Sequence, residues 1–154
     1  MPEHDTISRV VLRNYKSIRE CDVALGPITF LVGPNGAGKS NFVEALRFLS
    51  YGLSTSLEQA VASRSGFRSI VNCEAGEGSA ITFEVSFTLR NGRSGSYLLE
   101  IGAMADGPVT VTREECLIQS ARVHDWFKVG GGVVTSTDPC RLRGEIVPGK
   151  RLRS

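Results

Sequence analysis

The segment Gly33–Ser40 reads GPNGAGKS, and it constrains the fold of this 154-residue chain more than any other feature. It matches the pattern G-x-x-x-x-G-K-[S/T] at every fixed position. Glycines adopt backbone conformations that a Cβ forbids, so the amides of such a loop can converge on an anion. A helix that starts near Lys39 adds the positive end of its dipole. The segment therefore predicts a polyphosphate-binding loop between a strand and a helix.

The residue types in this loop predict ATP as the ligand and Mg²⁺ as the cofactor. Lys39 is the candidate catalytic residue, because its ammonium would reach the β- and γ-phosphates. Ser40 is the candidate metal ligand, through its hydroxyl. The whole predicted binding set comprises Gly33, Pro34, Asn35, Gly36, Ala37, Gly38, Lys39, Ser40 and Asn41.

The residues on either side of the loop supply the context that the motif requires. Ile28–Val32 (ITFLV) is a continuous apolar run, which predicts a strand buried on both faces. Asn41–Ser50 has apolar residues at helical spacing, with Gly52 as the predicted stop. Thr55–Glu58 fits a capping box, which predicts a second helix that ends near Arg64.

Alternating strands predict an antiparallel β region in the second half, and two more strands precede the loop. The early strands are predicted at Ile7–Arg13 and Cys21–Leu25, and the later ones at Ile81–Phe87, Ser96–Ile101 and Val109–Ile118, with a further hairpin of Trp126–Val129 and Val133–Thr135 around three glycines. Asn91-Gly92 is a strong turn signal between the first two of the later strands. We expect one lobe over residues 1–138, with a core at 6–66 and the β region at 80–135.

The lack of signal-peptide features and of a membrane-spanning apolar run favours a cytoplasmic protein. The net charge is only +2, so the chain has no strong overall positive electrostatic potential to attract nucleic acid. The N-terminus lacks the features of a signal peptide, and no apolar run reaches the roughly 20 residues of a bilayer span.

The four cysteines lie far apart in the sequence, which predicts free buried thiols; they are Cys21, Cys73, Cys116 and Cys140. Residues 139–154 are basic and predict a disordered tail, with a nucleic-acid or partner contact as the alternative.

The stretch VGPNGAGKSN resembles the ABC-type ATPases, and Val11–Ser17 (VLRNYKS) narrows the likeness to their SMC/RecF/OLD branch. The chain is most similar to the bacterial "AAA family" predicted ATPases. The resemblance implies the N-terminal α/β lobe of a P-loop NTPase with an antiparallel β-subdomain. It makes Arg13, Asn14 and Lys16 candidates for nucleotide contact, with a solvated turn as the alternative. It makes Gln119 a candidate magnesium contact, with a plain strand-end residue as the alternative.

Two elements of that branch are missing from the sequence. No apolar strand ends in Asp-Glu, and no LSGG-like signature occurs. Hydrolysis needs groups that hold magnesium from the other side and position water. We therefore expect a partial ATPase head that turns over only when a complementary lobe or a second copy completes it.

Other functions remain open at this point. A non-catalytic nucleotide-sensing module is the main alternative. A GTPase is disfavoured because no N-K-x-D element occurs, and a small-molecule kinase because its fold does not suit an antiparallel middle region. The resemblance implies nucleic acid as a possible partner of the assembly, and the lack of an apolar span predicts no membrane contact. DNA repair, chromosome organisation and phage defence all use such heads.

Overall fold

A computed structural model of the chain describes residues 4–76, 78–103, 107–119, 124–130 and 133–136. Its strands form one antiparallel sheet in the order β2-β1-β3-β4-β5-β6-β7. The strands are β1 (Thr6–Tyr15), β2 (Ile18–Ala24), β3 (Ile81–Thr88), β4 (Ser94–Ala103), β5 (Val109–Gln119), β6 (His124–Gly130) and β7 (Val133–Ser136). The helices are α1 (Lys39–Ser54), α2 (Leu57–Ala62) and a 3₁₀ turn at Phe67–Ser69. This architecture confirms the predicted α/β lobe with an antiparallel β region.

Strand β1 lies between β2 and β3 and is buried on both faces at its centre. Val10 and Leu12 join the main core, in register with Val85 and Phe83 of β3. Val11 is also buried, but it points to the opposite face. There Arg9 is hydrogen-bonded to Asp22 at 2.7 and 2.8 Å. An exposed ion pair of this kind adds little stability. The aliphatic part of a long arginine side chain can, however, cover an apolar neighbour such as Val11.

Helix α1 buries one face against the sheet. Phe42, Ala45, Phe48 and Leu49 recur at helical spacing and are all buried. The Phe48 ring stacks on Phe83 with centroids 5.6 Å apart and lies 6.0 Å from Tyr15. These three aromatic rings form the centre of the core that carries the loop.

The prediction for Ile28–Val32 was wrong, because the structure shows no strand there. The chain has no regular secondary structure over these residues, and Phe30 is 83% exposed and Val32 91% exposed. A strand buried on both faces needs neighbouring strands and a layer above and below it. Among the described residues the sheet runs from β2 at one edge to β7 at the other, and Ile28–Val32 pairs with neither edge strand.

The ends of both helices differ slightly from those predicted. Helix α1 continues past Gly52 to Ser54, where Thr55 N and Oγ1 both donate to the carbonyl of Tyr51. Helix α2 is capped by Ser56, whose hydroxyl accepts from Gln59 N at 3.2 Å. The N-cap residue is therefore Ser56 and not Thr55, one residue later than the capping-box pattern predicts.

The antiparallel hairpins confirm the alternation in the second half. Gly92 has a φ of +79°, as the turn between β3 and β4 requires. Strands β6 and β7 pair in register as the predicted final hairpin. The predicted tail at 139–154 and the turn residues 131–132 lie outside the described residues.

The cysteines differ in environment, which contradicts the prediction that all are buried. Cys116 is buried, Cys21 is half-buried and Cys73 is exposed; all three are free thiols, and Cys140 lies outside the described residues. Burial raises the pKa of the Cys116 thiol to about 11, with a smaller contribution from the Glu114 carboxylate. Desolvation likewise raises the pKa of Cys21.

We expect iodoacetamide at pH 8 to alkylate Cys73 at least 100-fold faster than Cys116, as measured by peptide mass mapping. A pKa of about 11 leaves only about 0.1% thiolate at that pH, and the thiolate is the nucleophile. The same shift destabilises the fold as pH rises from about 9 to about 11, because the unfolded thiol releases its proton first. Equal alkylation rates without denaturant would contradict this burial, and equal rates in urea are the expected control.

Candidate nucleotide-binding site

The phosphate loop projects into solvent as two glycine-dependent turns. Ala37 N donates to Pro34 O at 3.3 Å and closes the first turn, in which Gly36 has a φ of +83°. Gly38 follows with a φ of +86°, and it is the N-cap residue of α1. Side chains with a Cβ adopt this left-handed region only at a cost, so both glycines are required by the backbone path.

The N-terminus of α1 is open to an anion. Gly38 provides no side-chain cap, and the first turn contains no acidic residue. The first amides of a helix have no partner within the helix, and a serine, threonine or aspartate normally caps them. In this chain the positive end of the α1 dipole and the N–H groups of its first turn face the phosphate loop. This is the arrangement by which a helix N-terminus binds phosphate.

The side chain of Lys39 folds back over the loop. Its Nζ donates to the carbonyl oxygens of Gly33 and Pro34, each at 2.7 Å. An ammonium group has three donors, so two of them hold the two ends of the loop together and one is left for a ligand. The lysine thus fixes the loop and places a positive charge beside its amides.

Ser40 and Asn41 begin the helix with different surroundings. Ser40 is exposed, and its hydroxyl makes no hydrogen bond with the part of the chain that the structure describes. Asn41 is half-buried and donates from Nδ2 to Ser17 Oγ at 2.7 Å. Ser40 is therefore available as a ligand, whereas the Asn41 side chain is already used within the protein.

The residues of the loop fit a magnesium-bound nucleotide. No group of three or more histidine, cysteine, aspartate or glutamate side chains could hold a metal within the described ranges. Mg²⁺ is commonly bound by one or two protein oxygens together with phosphate oxygens and water. One serine hydroxyl beside a phosphate cradle is consistent with that mode, in which the metal neutralises phosphate charge.

The end of β1 and the turn that follows it contain the three other candidate contacts, and each side chain has a partner. Arg13 Nε is paired with Glu20 at 2.8 Å. Asn14, with a φ of +57°, donates from Nδ2 to Ala80 O at 3.0 Å. Lys16, with a φ of +49°, lies 3.2 Å from the Glu44 carboxylate of α1. Nucleotide contact by these residues stays a prediction, and each would have to exchange or share its partner.

The same turn packs directly against the loop, which sequence reasoning did not foresee. A Cβ added to Gly38 would lie 3.3 Å from Ile18 Cγ1 and 3.5 Å from Ser17 Oγ. Ser17 and Glu44 are residues that the sequence did not single out. Their signals were present, because Ser17 ends the stretch VLRNYKS and Glu44 lies one helical turn after Ser40.

Gln119 is the candidate that the structure leaves apart from the loop. It lies at the end of β5, in register with Ser94 and His124. Three strand spacings, about 14 Å, separate β5 from β1. Its magnesium role stays a prediction.

The glycine loop, the uncapped helix that follows it and the antiparallel β region define an ABC-type P-loop ATPase lobe of the SMC/RecF-like kind. The chain belongs to the AAA domain family, whose profile matches residues 9–134.

Curated relatives match a short part of the chain. It is 43% identical over 49 residues to the DNA replication and repair protein RecF of Vibrio vulnificus strain YJ016, which is 31% of this chain and 14% of that protein. The RecF of Edwardsiella ictaluri strain 93-146 is 45% identical over 47 residues, 30% of this chain and 13% of that protein. The match thus spans about one seventh of these relatives. No solved structure matches the chain, and neither helix in the described part is long and apolar enough to cross a membrane.

Proposed function

We propose that the chain binds Mg-ATP in the loop Gly33–Ser40 and is the ATP-binding part of an ATPase head. The observation that supports this most is the open N-terminus of α1, with Lys39 holding the loop around it. In this proposal Lys39 contacts the β- and γ-phosphates and Ser40 ligates Mg²⁺. The backbone amides of residues 36–41 bind phosphate oxygens. Lys16 is the strongest of the outer candidates, because its side chain lies toward α1.

We also propose that the head becomes active only when a complementary lobe completes it. The sequence offers no Asp-Glu strand to hold magnesium and position water. The exposed apolar segment Ile28–Val32 leads directly into the loop, and Ile28, Phe30 and Val32 are each more than three-quarters exposed. Three such side chains at alternate positions favour burial in a sheet. Strands of the complementary lobe are the occupant that fits them best.

One part of the proposal, contact with DNA, rests on analogy with the relatives. RecF proteins are named for DNA replication and repair, and DNA contact by the assembled head is proposed for this chain on that basis alone. A second copy of the chain is the alternative source of the missing side of the ATP site. A nucleotide-sensing module without turnover is the alternative function, and it uses the same loop.

Titration calorimetry with the purified chain tests the binding proposal. We expect Mg-ATP to bind with at least tenfold higher affinity than ATP in excess EDTA, because Ser40 contributes only through the metal. We expect turnover on the order of 10⁻³ s⁻¹ or slower, comparable to a P-loop enzyme without its full catalytic set. No heat with Mg-ATP would refute the binding site, and rapid turnover by the chain alone would refute the need for completion.

A further inference from the structure

The β1–β2 turn and the start of α1 are joined by two side-chain contacts, which we call the turn–helix clamp. It consists of the pair Ser17–Asn41, with Oγ and Nδ2 2.7 Å apart, and the pair Lys16–Glu44, with Nζ and Oε2 3.2 Å apart. Ser17 follows Lys16 in the turn, and Asn41 and Glu44 share one face of α1 because they are three residues apart. Tyr15 also donates its hydroxyl to Glu44.

The β1–β2 turn, which forms one side of this clamp, is held in place by hydrogen bonds to residues 70–72. Asn72 is buried and donates from Nδ2 to Lys16 O at 2.6 Å. Its backbone N donates to Asn14 O at 2.9 Å, and Lys16 N donates to Ile70 O at 2.8 Å. These bonds support the left-handed backbone of Asn14 and Lys16, which few residues without glycine's freedom adopt. The turn is therefore a fixed platform and not a loose connection.

The start of α1, which forms the other side of the clamp, has few constraints apart from the clamp contacts. The first turn of α1 has no side-chain cap, and residues 28–37 before it are exposed. A Cβ added to Gly38 would be in tight contact with Ile18, at 3.3 Å, and in ordinary van der Waals contact with Ser17, at 3.5 Å. Of the polar contacts between this turn and α1, the Ser17–Asn41 bond lies nearest the phosphate loop and ties the first helical turn to the rigid β1–β2 turn.

We propose that Ser17 is a positioning residue of the nucleotide site: by holding Asn41 it pre-orders the phosphate-loop amides before ATP binds. This inference rests on the proposed function, since it concerns the same loop. A ligand that binds an already ordered loop avoids the entropy cost of ordering it. Loss of the bond therefore weakens nucleotide binding by more than it weakens the fold.

The test compares Ser17→Ala, Asn41→Ala and the double variant in the full chain. A single hydrogen bond of this kind is worth about a fivefold change in the Kd for Mg-ATP. We expect each single variant to bind about fivefold more weakly and the double variant to be no weaker than either, as for partners in one contact. Ser17→Thr keeps the hydroxyl and is expected to restore binding. Ser8→Ala removes the hydroxyl of a different exposed serine, which lies in β1 and donates to Ser86 O at 3.3 Å, and it is expected to leave Kd unchanged.

A second readout separates positioning from nucleotide binding itself. Backbone order parameters from ¹⁵N relaxation, measured without nucleotide, are expected to fall at residues 36–41 in Ser17→Ala from about 0.85 toward 0.6. They are expected to stay unchanged in Ser8→Ala. If Ser17→Ala leaves both Kd and the order parameters at wild-type values, the inference is overturned. If the wild-type chain binds no Mg-ATP while Ser17→Ala still loosens the loop, the proposed function fails and the positioning role stands.

Discussion

Lys39→Ala is expected to weaken Mg-ATP binding by about 100-fold, the largest functional effect of any single substitution in the chain. The variant loses the ammonium that would contact the phosphates, and a charge-assisted hydrogen bond is worth about 1.5–3 kcal/mol. It also loses the two bonds from Nζ to Gly33 O and Pro34 O that hold the loop closed. The first loss removes a contact of the bound state and the second loosens the free loop before ATP binds, and titration calorimetry measures their combined effect on Kd.

The matched control is Arg47→Ala, which removes an exposed cation two turns further along the same helix. It changes the net charge equally but touches no part of the loop, so Kd is expected to change less than twofold. Circular dichroism checks that both variants keep the fold. Equal weakening by the two substitutions would show that Lys39 acts through general charge and would contradict its assignment to the phosphates.

Phe48→Ala is expected to have the largest effect on stability, about 3–5 kcal/mol in urea denaturation. The Phe48 ring is 1% exposed and contacts both Phe83 and Tyr15 in the aromatic centre of the core. Arg64 also lies over it, with Cζ 5.0 Å from the centroid. Alanine leaves a cavity and removes these contacts together. A loss of this size is a large fraction of the total stability of a small domain.

Phe30→Ala makes the same chemical change at a residue that is 83% exposed. We expect it to change the free energy of unfolding by less than about 0.5 kcal/mol, as surface substitutions usually do. The difference in unfolding free energy between Phe48→Ala and Phe30→Ala tests whether the segment Ile28–Val32 is exposed in solution. A cost near that of Phe48→Ala would mean that Phe30 is buried in solution, which would contradict the structure.

The local patterns of the sequence predicted most of the fold. Phe42 and Leu49 at helical spacing identified α1, and the alternation from Ile81 to Phe87 identified β3, because these periods follow directly from backbone geometry. The structure also shows the glycine turns that the phosphate motif predicted at Gly36 and Gly38. Each of these features depends on residues that are close in sequence.

The errors arose where an outcome depends on distant residues. The apolar run Ile28–Val32 has the composition of a buried strand, but burial needs neighbours that the run itself cannot specify. The bond between Ser17 and Asn41 joins residues 24 positions apart, and no motif records such a contact. The packing of the turn against Gly38 has the same origin.

The uncovered run ITFLV has a practical consequence for the behaviour of the purified protein. Five successive residues of high β-propensity without charge or proline are the kind of sequence that nucleates cross-β aggregation. Exposed in the monomer, this stretch gives molecules a means of sticking to one another at high concentration. We therefore infer that aggregation through this segment limits the concentration at which the purified chain stays in solution. A charge placed within the segment, as in Phe30→Lys, would raise that limit.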